Sequence, residues 1–333
     1  MSIRDAHAIY RGLTHMRLRS NVLLFVLLTS CLVAACGRSA TADRPKRARP
    51  LVGVSLLTQT HEFYKDLENA MRTEAAARQL DLAVVSCEMD PVKQASQLDD
   101  FISQQVDALL VAPCDSSAVL PSINAANAAG IPVFTVDIAA RGGKVVSHVA
   151  SDNEEGGRLA GRTLASLLGG QGEVIIIDHP EVSSVQDRTR GFDDALTKFP
   201  GIKVVQRPSA SGQRAKAMTA MEDMIQAHPR LRGVFGINDD SALGALSVIE
   251  AAKRQDIAIV GFDATPEAQA ALRKGGALKA DIAQHPDQVG KSAIDAVADH
   301  LAGKTVPAVV SVPVSVVTKE TLAGAAAQSG TPR

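Results

Sequence analysis

The sequence predicts an α/β protein of two Rossmann-like lobes, each a parallel sheet clad with helices, facing one another across a cleft. Three observations lead there. From Leu51 onward, short runs rich in Val, Ile, Leu and Ala alternate with longer amphipathic stretches, the rhythm of successive βαβ units. The runs are continuous rather than alternating, as strands buried on both faces require. The pattern is completed twice in about 270 residues, enough chain for two lobes.

In the first set, strands are expected over residues 51–57, 82–87, 108–112 and 132–136, with helices over 63–79, 91–105 and 117–129 between them. Gly130 offers a left-handed stop to the third helix. A second set follows the segment Ser147 to Asp152. Its strands are expected over 173–177, 203–206, 233–236, 257–261 and 278–282, and its helices over 154–168, 185–198, 214–227, 241–253 and 266–274. Asp152 is placed to cap the first of these helices. A helix over 286–301 and one apolar strand over 308–317 close the fold.

The first 50 residues read differently. Arg17 and Arg19 precede the apolar run Val22 to Leu28, then small residues and Cys36, the layout of a secretory signal peptide. The run is shorter than the roughly 20 apolar residues of a spanning helix. Val33-Ala34-Ala35-Cys36 resembles the lipobox of bacterial lipoproteins, which makes Cys36 the expected lipidated N-terminus; Leu28-Thr29-Ser30-Cys31 fits more loosely. Met16 is an alternative start to Met1. Removing residues 1–35 takes away four arginines and one aspartate, and so moves the formal charge from -1 to -4. Residues 36–50, with five basic side chains, one aspartate and two prolines, are expected to form a flexible tether.

Composition then excludes several function classes. A charge of -1 across 333 residues carries no basic excess for nucleic acid. No G-x-S-x-G elbow, no glycine fingerprint after the first strand and no Walker-type lysine loop occurs, so no enzyme is indicated. The histidines lack i, i+4 pairing, and neither a metal nor a cofactor is expected. Beyond Cys36 the chain holds only Cys87 and Cys114, each after an expected strand. Their pairing stays open, with two free thiols as the expectation, since a disulfide has short reach.

Ligands of such sheets lie beyond the carboxyl ends of the strands. Those positions hold Ser55 with Gln59 and His61, then Asp137, Gln186, Asn238, Asp263 and Gln284, almost all hydrogen-bonding. A carboxylate perched on a buried strand needs donors, and a polyhydroxylated ligand supplies them. The plainer alternatives are helix caps: Asp263 ahead of Thr265-Pro266, and Asn238 ahead of Asp239-Asp240.

Several strings together resemble the sugar-binding periplasmic proteins of ABC transporters, in the ribose-binding branch. They are residues 146–153 (VSHVASDN), 235–246 (FGINDDSALGAL), 260–266 (VGFDATP) and 282–290 (IAQHPDQVG), and the similarity runs over about residues 51–319. The resemblance implies a type 1 periplasmic binding fold with a three-segment hinge near residues 151–152, 284–285 and 312–314. It places residues 51–152 with 285–313 in one lobe, 153–284 with 314–322 in the other, and leaves 323–333 as a disordered tail. It also implies a sugar site of Ser55, Phe63 with Tyr64, Asp137, Asn238, Asp263 and Gln284. The ring pair would stack on a sugar face, in a chain with eight Phe, two Tyr and no Trp.

Departures from the pattern bear on the ligand. Ile138 stands where ribose binders carry Arg; so does Gln186, with Arg188 two residues on. An aromatic is replaced within Pro208 to Gln213. A longer loop over 57–62 brings Gln59 and His61 toward the cleft. Ribose itself is therefore disfavoured, and a neutral monosaccharide or polyol of different size is expected in a pocket roomier on its second-lobe side. The partners implied are an ABC permease and ATPase, for a monomer held at the membrane by lipid. The alternative is a sensor that presents a sugar-like or amino-bearing ligand to a chemoreceptor or sensor kinase. A repressor of the same fold would need an N-terminal helix-turn-helix where the signal peptide lies.

Overall fold

The computed structural model describes residues 47–328. The signal peptide, Cys36 and the tether up to residue 46 lie outside the described residues, as do the last five. Two six-stranded sheets organise the chain. The first has the spatial order β11-β5-β4-β3-β1-β2 and the second β12-β10-β9-β8-β6-β7.

The first sheet is built from β1 (Leu51–Leu56), β2 (Asp81–Ser86), β3 (Ala108–Val111), β4 (Val133–Val136) and β5 (Val145–Ser151), all parallel. Helices α1 (Glu62–Ala77), α2 (Pro91–Ser103) and α3 (Leu120–Ala128) connect them. Every residue of β3 and β4 is buried, which is why each reads as an unbroken apolar run. Asp90 starts α2 by accepting from the backbone N–H groups of Val92 and Lys93, with Pro91 supplying the first turn.

The second sheet follows with β6 (Gln171–Ile177), β7 (Gly201–Gln206), β8 (Leu231–Gly236), β9 (Ala258–Asp263) and β10 (Leu278–Ala283). Its helices are α4 (Asn153–Leu167), α5 (Ser183–Leu196), α6 (Arg214–Ala227), α7 (Asp239–Ala251) and α8 (Pro266–Lys274). Asp152 caps α4 by accepting from Glu155 N–H at 3.0 Å. Phe192 and Phe235 stack at 4.8 Å in the core beneath. Helices α4 and α5 touch backbone to backbone: a Cβ on Gly157 would collide with the Arg188 carbonyl, and one on Gly191 with the Glu154 carbonyl. This contact fixes the axial position of Arg188.

The chain then returns. Helix α9 (Pro286–Leu301) packs on α1, β11 (Val309–Val312) joins the first sheet beside β5, and β12 (Ser315–Thr318) joins the second. The chain therefore passes between the sheets three times, around Asp152, around Gln284 and at Pro313-Val314.

Four expectations need correction. The single strand over 308–317 is two strands in different sheets, because Pro313 cannot donate to a ladder, and β12 runs antiparallel to β10. Residues 145–151 form a full strand, although Ser147 and His148 interrupt their apolar run. Residues 319–328 form a helix, α10 (Lys319–Gln328), packed on α8, in place of a disordered tail from 323. Cys87 and Cys114 form a disulfide with their Cα atoms 6.8 Å apart, not two free thiols. They reach each other because β1 lies between β2 and β3, and both sulfurs close over the Leu57 carbonyl just past its end. The folded body also begins before Leu51: the Arg47 guanidinium donates to the carbonyls of Gln104 at 2.7 Å and Gln105 at 2.9 Å.

Candidate functional site

Asp137 and Asp263 stand at the carboxyl ends of β4 and β9, and a cleft between the two sheets brings them together. Asp137, Asn238, Asp263, Gln284, Phe63 and Tyr64 all line it, around a cavity of about 40 Å³. Both aspartates have left-handed backbone, φ 62° for Asp137 and 121° for Asp263. A non-glycine residue held there costs about 1–3 kcal/mol, a strain typical of functional positions.

In the first lobe, α1 presents Phe63 and Tyr64 as an edge-to-face pair at 5.3 Å. The Tyr64 hydroxyl donates to Asp137 Oδ2 at 2.5 Å. Asp137 Oδ1 is buried without a partner. Burial pushes the Asp137 carboxyl above its ordinary range, against the pull of Arg188 and Tyr64, and pushes the Tyr64 phenol well above its own.

The second lobe supplies a connected polar group. Gln284 Nε2 donates to Asp263 Oδ1 at 2.6 Å, and the Asp239 backbone N–H donates to Asp263 Oδ2 at 3.3 Å. Gln284 Oε1 is a second buried acceptor without a partner. Arg188 lies 3.8 Å over the Phe262 ring, donates to Asn153 Oδ1 and Ile237 O, and stands 4.0 Å from Asp263. Burial first, and then the neighbouring Asp239, raises Asp263 to about 8. Behind it, Asp239 accepts from Thr265 N–H at 2.7 Å and Oγ1 at 2.6 Å, while Asp281 accepts from Ala264 N–H at 3.1 Å. Burial raises both: Asp281 to about 7 and Asp239 well above its usual range, the latter also through Asp281 itself.

The helix-cap alternatives divide. Asn238 caps α7, accepting from Ser241 N–H at 3.0 Å while its amide donates to Gly212 O at 3.0 Å. Its side chain lines the cleft and holds the loop at the same time. Asp263 does not cap α8; Thr265 does.

Three candidate residues do not line the cleft. Ser55 is buried under α2, its hydroxyl bonded to Gln94 and Gln97, because a strand directs alternate side chains to opposite faces. Gln59 donates to Glu68 at 2.7 Å on the outer surface. Gln186 turns outward to Pro180 O and Arg141, one helical position off the inward face that Val185 and Arg188 share. His61 does line the cleft, and its Nε2 lies 3.4 Å from Asp240 across the lobes; desolvation holds its pKa below the usual value.

The lining also includes residues that strand-end reasoning does not select: Arg188, His179, Leu57, Val182, Val185 and Ile237. Arg188 has a signal, as the inward-spaced arginine beyond Gln186. His179 stands beside Gly212, its Nδ1 3.5 Å from where a Cβ would sit, so an imidazole occupies space next to the position lacking an aromatic ring. Direct hydrogen bonds join the lobes beside the cleft: Ser183 Oγ accepts from Ala139 N–H at 2.8 Å, and Ser116 Oγ accepts from Ser183 N–H at 2.9 Å. Among the described residues no cluster of three or more His, Cys, Asp or Glu could hold a metal ion, and no helix is long and apolar enough to cross a membrane.

Known proteins share both the sequence pattern and this architecture. Residues 52–305 match the family model described as periplasmic binding protein domain. The ribose import binding protein RbsB of Bacillus subtilis is 36% identical over 299 residues, 90% of this chain and 97% of that protein. The crystal structure of an ABC transporter solute binding protein from Mycobacterium smegmatis, with bound glycerol, is 35% identical with a TM-score of 0.79, covering 83% of this chain and 96% of that one. The fructose-binding periplasmic domain of a hybrid two-component system is 25% identical with a TM-score of 0.79, covering 85% of this chain and 95% of that domain.

Proposed function

Since this chain belongs to the periplasmic binding protein family, in its ribose-binding-like sugar branch, we propose that it is the substrate-binding component of an ABC sugar importer. Members of this family bind substrates for transporters and are not enzymes. The ligand is a small neutral monosaccharide or polyol, held in the interlobe cleft. One observation carries this reading: Asp137 Oδ1 in one lobe and Gln284 Oε1 in the other are buried acceptors without partners in the same cleft. Hydroxyl groups are the donors that satisfy both, and an unsatisfied buried acceptor costs about 1–3 kcal/mol.

Closure follows from the three crossings. Rotation about the segments near Asp152, Gln284 and Pro313 opens and shuts the cleft, because a few residues at element ends can absorb the backbone change while each sheet moves as a rigid unit. The Ser183–Ala139 and His61–Asp240 contacts belong to the shut form. The ligand favours that form by its differential affinity for it. The shut protein then docks on a permease with its ATPase. The site lies in the periplasm or at the cell surface, on a monomer anchored through lipid at Cys36, and Cys36→Ala would release the protein to the soluble fraction.

A second reading, presentation of the ligand to a sensor kinase or chemoreceptor, draws on the similarity to the two-component system's fructose-binding domain. Ligand-loaded protein that stimulates ATP hydrolysis by the cognate permease complex supports the importer. The ligand itself is sought by a thermal-shift screen of the mature chain against pentoses, hexoses, polyols and amino sugars, since a ligand of the native state raises Tm. A rise with a neutral sugar or polyol is expected. No rise with any of them, or a rise with amino sugars alone, contradicts the proposal.

A further inference from the structure

The cleft presents both polar acceptors and carbon surface. Asp137, Asn238, Asp263 and Gln284 bring the acceptors, while Leu57, Ile138, Val182, Val185 and Ile237 bring carbon surface. Ile138 and Val182 come from opposite lobes and are held together at the seam beside them, where Ser183 Oγ accepts from Ala139 N–H at 2.8 Å and donates to Ala139 O at 3.1 Å.

Several polar groups near this wall are already engaged. Ile138 N–H donates to Val136 O, Val182 O accepts from Gln186 N–H, and Ile237 O accepts from Arg188. Arg188 is also bound to Asn153 and laid over Phe262. Gln186, the amide nearest in sequence, is turned out to Pro180 O and Arg141. Ser184 also lines the cleft and adds one hydroxyl. A ligand hydroxyl set directly on Ile138 and Val182 would therefore find few partners to replace the water it loses.

We infer that the ligand carries a deoxygenated edge, a methyl or methylene group seated on Ile138 and Val182, and so belongs to the deoxy sugars or deoxy polyols. The inference rests on the sugar-binding reading and specifies its substrate class. Ile138 and Val182 are the residues that set this preference. An apolar surface rejects an added hydroxyl by about tenfold to a hundredfold in affinity.

Calorimetric titration of the mature chain with matched pairs tests it: L-galactose against L-fucose, L-mannose against L-rhamnose, and D-ribose against 5-deoxy-D-ribose. In the pair that binds best, the deoxy member is expected to bind at least tenfold more tightly. Ile138→Asn, which offers a hydrogen-bonding amide at the same place, should narrow or invert that ratio. Should Ile138→Asn fail to fold, Val182→Thr exchanges a methyl for a hydroxyl at nearly constant volume and should narrow it too. Equal or tighter binding of the fully hydroxylated member in every binding pair overturns the inference while leaving the sugar-binding reading intact. An unchanged ratio in the folded variants also overturns it. Absence of binding by all six sugars and by every sugar and polyol of the thermal-shift screen overturns the sugar-binding reading, and this inference with it.

Discussion

Asp137 and Asp263 occupy equivalent places in the two lobes: each ends the third strand in the spatial order of its sheet, and each has a positive φ. The two sheets share one plan, with β4 matching β9 and β1 matching β6. The cleft therefore has one strand-end carboxyl on each side. Their partners differ. Asp137 is held by a phenol and Asp263 by an amide and a backbone N–H.

Tyr64→Phe removes the donor that orients Asp137 while keeping the ring against Phe63. Loss of a hydrogen bond to a charged group costs about 1.5–3 kcal/mol. Calorimetry should show affinity falling by roughly tenfold to a hundredfold, with the fold intact by circular dichroism. Unchanged affinity would show that Asp137 is oriented by something else.

Ligand-free stability should fall as pH rises from 6.5 to 8.5. Asp263 and Asp281 are raised to about 8 and about 7 from an ordinary 3.8, so their contribution is fully present below pH 4 and is lost as pH passes through 7 to 8. His61, His148 and His179 are held low by desolvation and contribute in the opposite sense, but only as pH falls below their ordinary 6.5. Above that, the carboxyls act alone. A decline in Tm of about 3 °C per pH unit is expected, and Asp281→Asn should flatten it. Hydroxyl donors on Asp263 favour its ionised form, so ligand binding at pH 7 should release protons, read as a dependence of binding enthalpy on buffer. A Tm that climbs over this range contradicts the assignment.

Gly157→Ala forces α4 away from the Arg188 carbonyl. Overpacking of this kind costs about 3 kcal/mol. Urea denaturation should register that loss, and ligand affinity should weaken with it because Arg188 moves relative to Asp263. Retained stability would mean that α4 and α5 can separate freely.

Reduction of the Cys87–Cys114 bridge, which spans 27 residues, should lower stability by about 3 kcal/mol. Melting curves with and without a phosphine reductant, compared with Cys87→Ser/Cys114→Ser, decide the point. Identical curves would contradict the bridge.

Much of the fold and part of the site are legible from residue order. Buried parallel strands announce themselves as unbroken Val/Ile/Leu runs, and Asp137, Asp263 and Gln284 stand out as polar residues at the ends of such runs. Ser55 misleads because it lies inside β1, where the two-residue alternation sends it to the α2 face. Gln186 misleads because one residue along a helix turns a side chain by about 100°. The disulfide depends on β1 lying between β2 and β3, a spatial order that local sequence does not carry. Val182 and Ile237 give no signal at all: apolar residues just before helix starts look like core until two lobes meet over them.

If one neutral sugar or polyol bridges Asp137 and Asp263 across the closed lobes, both carboxyls must contribute to a single binding event. Calorimetric titration of the thermal-shift hit into the wild type, Asp137→Asn, Asp263→Asn and the double variant tests this most directly. One site per chain is expected, with a loss of at least tenfold in each single variant and no measurable binding in the double variant. Wild-type affinity in either folded single variant would contradict the bridge.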